Sequence, residues 1–387
     1  MLEIMPKKFL LGGYEVPGYG GASTVAYRMF EDLQAQGFDV AFVNLIGQDI
    51  APYLQAVYGS ALGNPRGLAN VHNLVLERAP FYPAPAHENL ARLIQTLSPD
   101  VVIGNDFIAV LLLKASAPDK RVIFITAGCD QAKQALLHRE VADVTELLRR
   151  IDKAKAKASQ SFRLPPHTPG IREAQAVANA DLILLHSDMM RPLFEYYFPA
   201  HAVKLFPETL WFAEWIDRDA APYTQLRQPF AERAIDVLFV ASLWKRIEKN
   251  WTLAREIILR HPEWNIHVVG ESVERAGHAT YHELLADRAK LFELMGQARV
   301  VVSPSRLDAA PGVLWEAVAM GCNIVATKNC GNWELCHPAL LAHSLRAEEF
   351  GERIRAARVR EYKHNAEKFL QPSARQTLRE ILEVFCE

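Results

Sequence analysis

At 387 residues, half of them apolar, the chain is long for a single core, and two domains of about 150–200 residues each are expected. Its 43 basic and 45 acidic residues leave a net charge of −2, which lacks the basic face that nucleic-acid binding demands. No apolar run reaches the ~20 residues that cross a bilayer and no apolar leader opens the chain, so a soluble, cytoplasmic protein is expected. Five cysteines (Cys129, Cys322, Cys330, Cys336 and Cys386) are odd in number and scattered, which argues against a disulfide framework. Cys322, Cys330, Cys336 and His337 can be drawn as a zinc site, but they include no CxxC pair, and buried thiols are the better reading.

In chain order, residues 8–12 read as a short first strand and 24–36 as an amphipathic helix ended by Gly37. Further strands are expected at 39–45, 71–76, 101–104, 122–127 and 182–186. Short apolar runs alternating with helical stretches predict a parallel, doubly wound sheet. Residues 131–160 read as one long polar helix, and 162–170, rich in proline, as a loop. Pro199, Pro207, Pro222 and Pro229 punctuate a stretch without periodicity, the expected interdomain connection. A second alternating unit follows, with strands at 237–241 and 266–269 and helices at 251–260 and 281–295. Residues 374–385 form the last helix. The expected division is 1–205, a linker at 206–231, a second domain at 232–365 and a terminal segment at 366–387.

Residues 299–334 are the most informative. Val300-Val301-Val302 reads as a buried parallel strand, stopped by Ser303-Pro304-Ser305. Asp308 and Glu316 follow with seven residues between them. Residues 314–320 are helical, Gly321 ends them, and 324–326 begin the next strand. One acid in the loop and one on the first helical turn would then face the carboxyl edge of the sheet, where open α/β sheets bind ligands. Pro304-Ser305, Asp308, Glu316-Ala317, Gly321-Cys322 and Gly331 followed by Glu334 resemble the signature of family-4 retaining glycosyltransferases of GT-B fold. That resemblance implies two Rossmann-like domains facing across a cleft, with the last helix crossing back onto the first.

The same resemblance implies a nucleotide-sugar donor and a sugar-containing acceptor: a glycan, a lipid-linked sugar or a small molecule. Glu316 would accept from the ribose hydroxyls and Asp308 from those of the transferred sugar, since a carboxylate can take both protons of a diol. Residues 242–250, from Ser242 to Asn250, resemble the family's phosphate-gripping loop, with Arg246 and Lys249 as the cations and Lys245 as an alternative to Arg246. Such cations oppose the charge developing on the diphosphate, so neither a metal nor a cofactor is implied. Gly20 and Gly21, in a Gly-rich turn after the first strand, would face donor phosphate or acceptor, although an ordinary flexible turn reads the same. Gly270 and Glu271 match the position near the nucleotide, and the amides of Gly312 and Val313 remain for the sugar. The acceptor-side pair Asn105-Asp106 reads equally well as a turn or helix cap.

Three features depart from the family: Asp308 where Glu is usual, Pro311 with no N–H to give, and no His near Thr126-Ala127-Gly128. Retention of anomeric configuration and a place in surface polysaccharide or glycoconjugate synthesis are implied by the resemblance alone. The rivals are another GT-B enzyme (an epimerase or phosphorylase), a catalytically silent scaffold, and a nicotinamide enzyme using Asp39 or Asp49. Trp211, Phe212 and Trp215, with Arg353, Arg355, Arg358, Arg360 and Lys363, either pack at the hinge and line a solvated helix or make a peripheral membrane contact.

Overall fold

Two six-stranded sheets, every strand pair parallel, form the scaffold of the computed structural model, which describes residues 7–19, 21–76, 87–126, 128–156, 168–271, 274–285, 287–370 and 373–386. The first sheet contains β1 (Lys8–Tyr14), β2 (Asp39–Gly47), β3 (Val71–Leu76), β4 (Val101–Asn105), β5 (Arg121–Thr126) and β6 (Leu182–Leu185), in the order β3-β2-β1-β4-β5-β6. The second contains β7 (Ile235–Leu243), β8 (Ile266–Glu271), β9 (Thr280–His282), β10 (Ala298–Val302), β11 (Asn323–Thr327) and β12 (Leu341–Ala342), in the order β12-β11-β10-β7-β8-β9. Both have the doubly wound order, in which the direction of winding reverses beside the first strand. The switch points are β1/β4 and β7/β10. Helices cover both faces, so the inner strands are buried on each side and read as continuous apolar runs.

Three expected elements differ. The stretch 131–160 is two helices, Asp130–Leu137 and Val144–Ala156, with 157–160 outside the described residues. The break is at Arg139, whose φ of 57° is left-handed, and the second helix starts with Val144 donating to the Arg306 carbonyl of the other domain at 3.0 Å. The loop at 162–170 lies outside the described residues up to 167, and a helix (Thr168–Asn179) begins inside it, with Pro169 where a first-turn N–H is dispensable. The helix expected at 281–295 begins only at Arg288 and runs to Gln297, because Asp287 caps it by accepting from Ala289 N at 2.9 Å. Residues 280–282 form β9 instead.

Within the linker, a helix (Ala213–Ala220) buries Trp215, while Phe212 is buried beside it and Trp211 stands edge-on to Phe369 at 4.9 Å. Phe212 and Trp215 are spent on internal packing, and Trp211 is half-buried. Arg358 pairs with Asp236 at 2.9 Å and covers Trp264, and Arg360 covers Tyr362. The C-terminal helix (Ala374–Cys386) reaches the first domain: Arg375 pairs with Asp32 at 2.8 Å and Arg121 lies over the Phe385 ring at 3.8 Å. Among the described residues no helix is long and apolar enough to cross a membrane.

Candidate functional site

The switch point of the first sheet carries two carboxyl groups. Glu15, directly after β1, has φ 70° and donates its N–H to the Leu45 carbonyl at 3.0 Å. Asp106, directly after β4, has φ 140°; its Oδ1 accepts from Ala109 N at 2.8 Å and its Oδ2 from Tyr14 N at 3.3 Å. Non-glycine residues in such conformations cost about 1–3 kcal/mol each and gather at functional sites. Burial pushes the Asp106 carboxyl up to about 7. Burial, and then the Asp106 charge, lifts Glu15 to about 7 against the pull of Arg246 from the second domain. Asn105 turns its amide to the Ala22 carbonyl at 2.5 Å, so it braces the first helix (Gly21–Ala35). Gly21 is exposed at the start of that helix, and Gly20 lies outside the described residues.

These carboxyls impose a pH dependence. Asp106 stays protonated in the folded chain from its ordinary 3.8 up to about 7, where the unfolded chain has lost the proton. Its contribution to stability is complete below the unfolded value and is lost as pH rises through about 7. Asp106→Asn keeps an oxygen for Ala109 N and removes the titration. Its melting midpoint should therefore fall less than the wild type's between about pH 5 and about pH 8. Equal falls in the two proteins would show that Asp106 is charged throughout.

The switch point of the second sheet carries cations and a third acid. After β7 the chain makes a tight turn, Ile247–Lys249, and Asn250 takes a left-handed φ of 58°, which asparagine tolerates better than most residues. Asn250 also ties this turn to the loop after β10, donating to the Pro304 carbonyl at 3.0 Å and accepting from Arg306 Nε at 3.1 Å. Lys249 Nζ meets Asp308 Oδ2, and the pair is largely buried. Arg246 grips Glu248 Oε1 at 2.5–2.8 Å, its charge favoured further by Asp308 and Glu15. Lys245 is exposed and reaches Glu271 at 3.4 Å. Arg246 is therefore the cation of the switch point, and Lys245 belongs to its rim. Asp308 is fixed by a short parallel bridge: its N–H donates to Asn329 O at 2.9 Å and its carbonyl accepts from Gly331 N at 2.8 Å.

Gly312 and Val313 open the helix Gly312–Ala319, where first-turn amides have no partner within the helix. Pro311 precedes them, its carbonyl taken by Asn332 Nδ2 at 3.1 Å. Glu316 lies in the second turn rather than the first, and it is only 7% exposed. Arg288 reaches its Oε1 at 2.5 Å and Arg28 at 3.8 Å. Arg246, Lys249 and Asp308 thus form one group, and Glu316 belongs to another with the two arginines. A third feature is a cavity of about 330 Å³ at the end of β8, between Tyr53 of the first domain and Gly270, Glu271, Arg275 and Tyr281 of the second. Gly270 has φ 116° and approaches the β7 backbone closely, and Ser242 is half-buried at the end of β7.

The thiols of Cys322 and Cys336 donate to the Met295 and Ile324 carbonyls, and Cys330 contacts Ser303 Oγ. Burial pushes all three up to about 12, and among the described residues no group of three metal-ligand side chains gathers. Sequence reasoning missed Glu15, Arg28 and Arg288. A charged residue two positions after Gly12-Gly13, at the end of the first strand, was the available sign of Glu15. For Arg28 the sign was an arginine among the apolar positions Val25, Met29 and Phe30 of one helix.

Residues 234–358 match the profile of a family described as Glycosyl transferases group 1. No curated protein matches the chain by sequence. Among solved structures, the chain is similar to Anabaena Alr3699/HepE in complex with UDP and glucose, at 14% identity over 97% of this chain and 100% of that one, with TM-score 0.60. It is also similar to the lipopolysaccharide outer core galactosyltransferase WaaB, at 13% identity over 97% and 99%, with TM-score 0.58. A third is the UDP-GlcNAc 2-epimerase from Methanocaldococcus jannaschii, at 11% identity over 97% and 99%, with TM-score 0.53. At these identities the likeness establishes the fold, which is GT-B.

Proposed function

We propose that the chain is a retaining glycosyltransferase that moves a sugar from a nucleotide sugar to a hydroxyl of a glycan, a lipid-linked sugar or a small molecule, in surface polysaccharide or glycoconjugate synthesis at the cytoplasmic side. One observation carries this reading: Arg246 at the second switch point stabilises the charge of Glu15 at the first, across the domains, and it lies beside the Lys249–Asp308 pair of its own domain. The family match over 234–358 supports a sugar-transferring chemistry for that half. Arg246 and Lys249 would neutralise the leaving diphosphate, so the reading needs no metal. Asp308 and the amides of Gly312 and Val313 would hold the transferred sugar, and Glu316 the ribose. The cavity beside Gly270 and Glu271 has the size and aromatic walls for a nucleobase. With no carboxylate assigned as nucleophile, the incoming hydroxyl would approach on the face the diphosphate leaves, a phosphate oxygen taking its proton.

The test is a panel of UDP-, GDP- and dTDP-sugars read by thermal stabilisation and then by product analysis. A donor held at 100 times its Kd should add about 2.7 kcal/mol of stability. Lys249→Ala should remove the shift for the donor that gives it. No shift with any nucleotide would overturn the reading in favour of a silent scaffold. A second reading is epimerisation of the bound sugar. It is favoured by Glu15 and Asp106, two carboxyls near neutrality that suit proton transfer in both directions. Conversion of donor to an epimer without acceptor would decide for it.

A further inference from the structure

Glu316 is held from both halves of the molecule. Arg288, on the helix Arg288–Gln297 of its own domain, reaches Oε1 at 2.5 Å. Arg28, on the helix Gly21–Ala35 of the other domain, reaches the same oxygen at 3.8 Å. Arg28 is buried, and its Nε donates to Asp219 Oδ2 in the linker helix at 2.5 Å. Asp219 in turn accepts from Arg66 at 2.7 Å, and Arg66 pairs with Glu31 at 3.0 Å. Arg218 joins Glu31 and Asp32, and Arg375 of the C-terminal helix closes on Asp32 at 2.8 Å. The linker helix and the C-terminal helix therefore each contribute charges to the chain of ion pairs ending at Glu316.

We infer that Arg28 is a positioning residue for nucleotide binding: with Arg288 it fixes the Glu316 carboxylate through Oε1 and so presents Oε2 to a vicinal diol. The inference rests on the proposed assignment of Glu316 to the ribose. A carboxylate has about four acceptor positions. Arg288 hydrogen-bonds Oε1, and the Arg28 guanidinium at 3.8 Å adds an ionic contact to the same oxygen; together they favour one placement of the carboxylate and leave the other oxygen, which has no hydrogen-bond partner among the described residues. Only a planar fork at position 28 can bond Asp219 through Nε while turning Nη2 to Glu316; a lysine ammonium at the end of a flexible stem cannot serve both. Because Arg28 comes from the first domain, the diol-binding geometry is complete only when the two halves are closed. Nucleotide affinity then reports closure, although the cavity at the end of β8 is lined chiefly by the second domain.

The experiment measures the Kd of each ribonucleoside diphosphate and its 2′-deoxy form, UDP with dUDP and GDP with dGDP, on the wild type and on Arg28→Lys and Arg288→Gln. A hydrogen bond from the 2′-hydroxyl to a fixed carboxylate should make the wild type prefer the ribo form by about 10-fold or more. Both variants should bind the deoxy form about as well as the wild type does, with the preference reduced to roughly 2-fold. A purely structural role would lower stability and weaken both nucleotides alike, leaving the ratio intact. Arg288 is about one-third exposed, so Arg288→Gln carries the test if Arg28→Lys fails to fold. A full ratio in a folded variant overturns the inference and leaves the proposed enzyme standing. A wild type that binds nucleotides without discriminating removes Glu316 from the ribose, and with it the inference. A wild type that binds none removes the glycosyltransferase reading as well.

Discussion

Lys249→Met should lower the rate of sugar transfer by about 10²–10³-fold, or ~2.7–4 kcal/mol, the usual effect of losing one group aimed at developing charge in a water-poor site. Stability and catalysis can be separated here because Lys249 pairs with Asp308. The two side chains are 20% and 15% exposed, so removing the ammonium leaves a partly buried carboxylate alone. That single variant should lose stability, and Asp308→Asn should lose some for the opposite reason. The double variant removes both charges and should recover most of the lost stability. Its transfer rate should stay low, since neither the phosphate contact nor the sugar contact returns. Steady-state rates and melting midpoints on the three proteins check this. A well-folded Lys249→Met with wild-type turnover would exclude Lys249 from the chemistry.

Gly270→Ala should cost at least ~3 kcal/mol and lower the melting midpoint by an amount on the order of 10 °C. An added Cβ would stand 1.6 Å from the Ala241 carbonyl oxygen and 2.8 Å from its carbon. Those are backbone atoms of β7, the strand that leads to Arg246, and they cannot rotate away as a side-chain tip would. The φ of 116° adds strain of its own. Gly331 is a milder relative of the same case: its φ is ordinary, but a Cβ there would meet the Ala309 carbonyl oxygen at 1.6 Å. Gly331 N–H also holds the Asp308 carbonyl, so the crowding that demands glycine there lies beside the bridge that fixes Asp308. A Gly270→Ala protein with an unchanged midpoint would mean that β7 and β8 do not approach this closely.

The parallel sheets were legible because their strands are buried on both faces, so Val300-Val301-Val302 or Val101-Val102-Ile103 appears as an unbroken apolar run. Short, polar β9, Thr280-Tyr281-His282, gives no such signal, and its last two residues fall inside the helix expected at 281–295. The break at Arg139 was hidden because its cause, docking of Val144 on Arg306, lies in the other domain. At the site, Asp308 and Lys249 were singled out by the resemblance of their segments to a known motif, and the structure places them side by side, while the choice between Lys245 and Arg246 stayed open in the sequence. Spacing could not show that Glu316 faces Arg28 and Arg288, contacts that join residues far apart in the chain. Nor could it show that Glu15 and Asp106 share a crevice, which follows only from the adjacency of β1 and β4.

The return of the C-terminal helix has a mechanical consequence. The chain passes between the halves twice, once through the linker helix and once ahead of Ala374, and Phe369 fastens the two passages together by resting against Trp211 on one side and Trp315 on the other. Two crossings pinned side by side act as a hinge with a defined axis, where a lone strand would act as a swivel. Breaking every contact at the strand edges would still leave the halves at high effective concentration for one another. Reclosure is then a first-order swing about that axis, independent of protein concentration, and it brings the same pair of edges together each time.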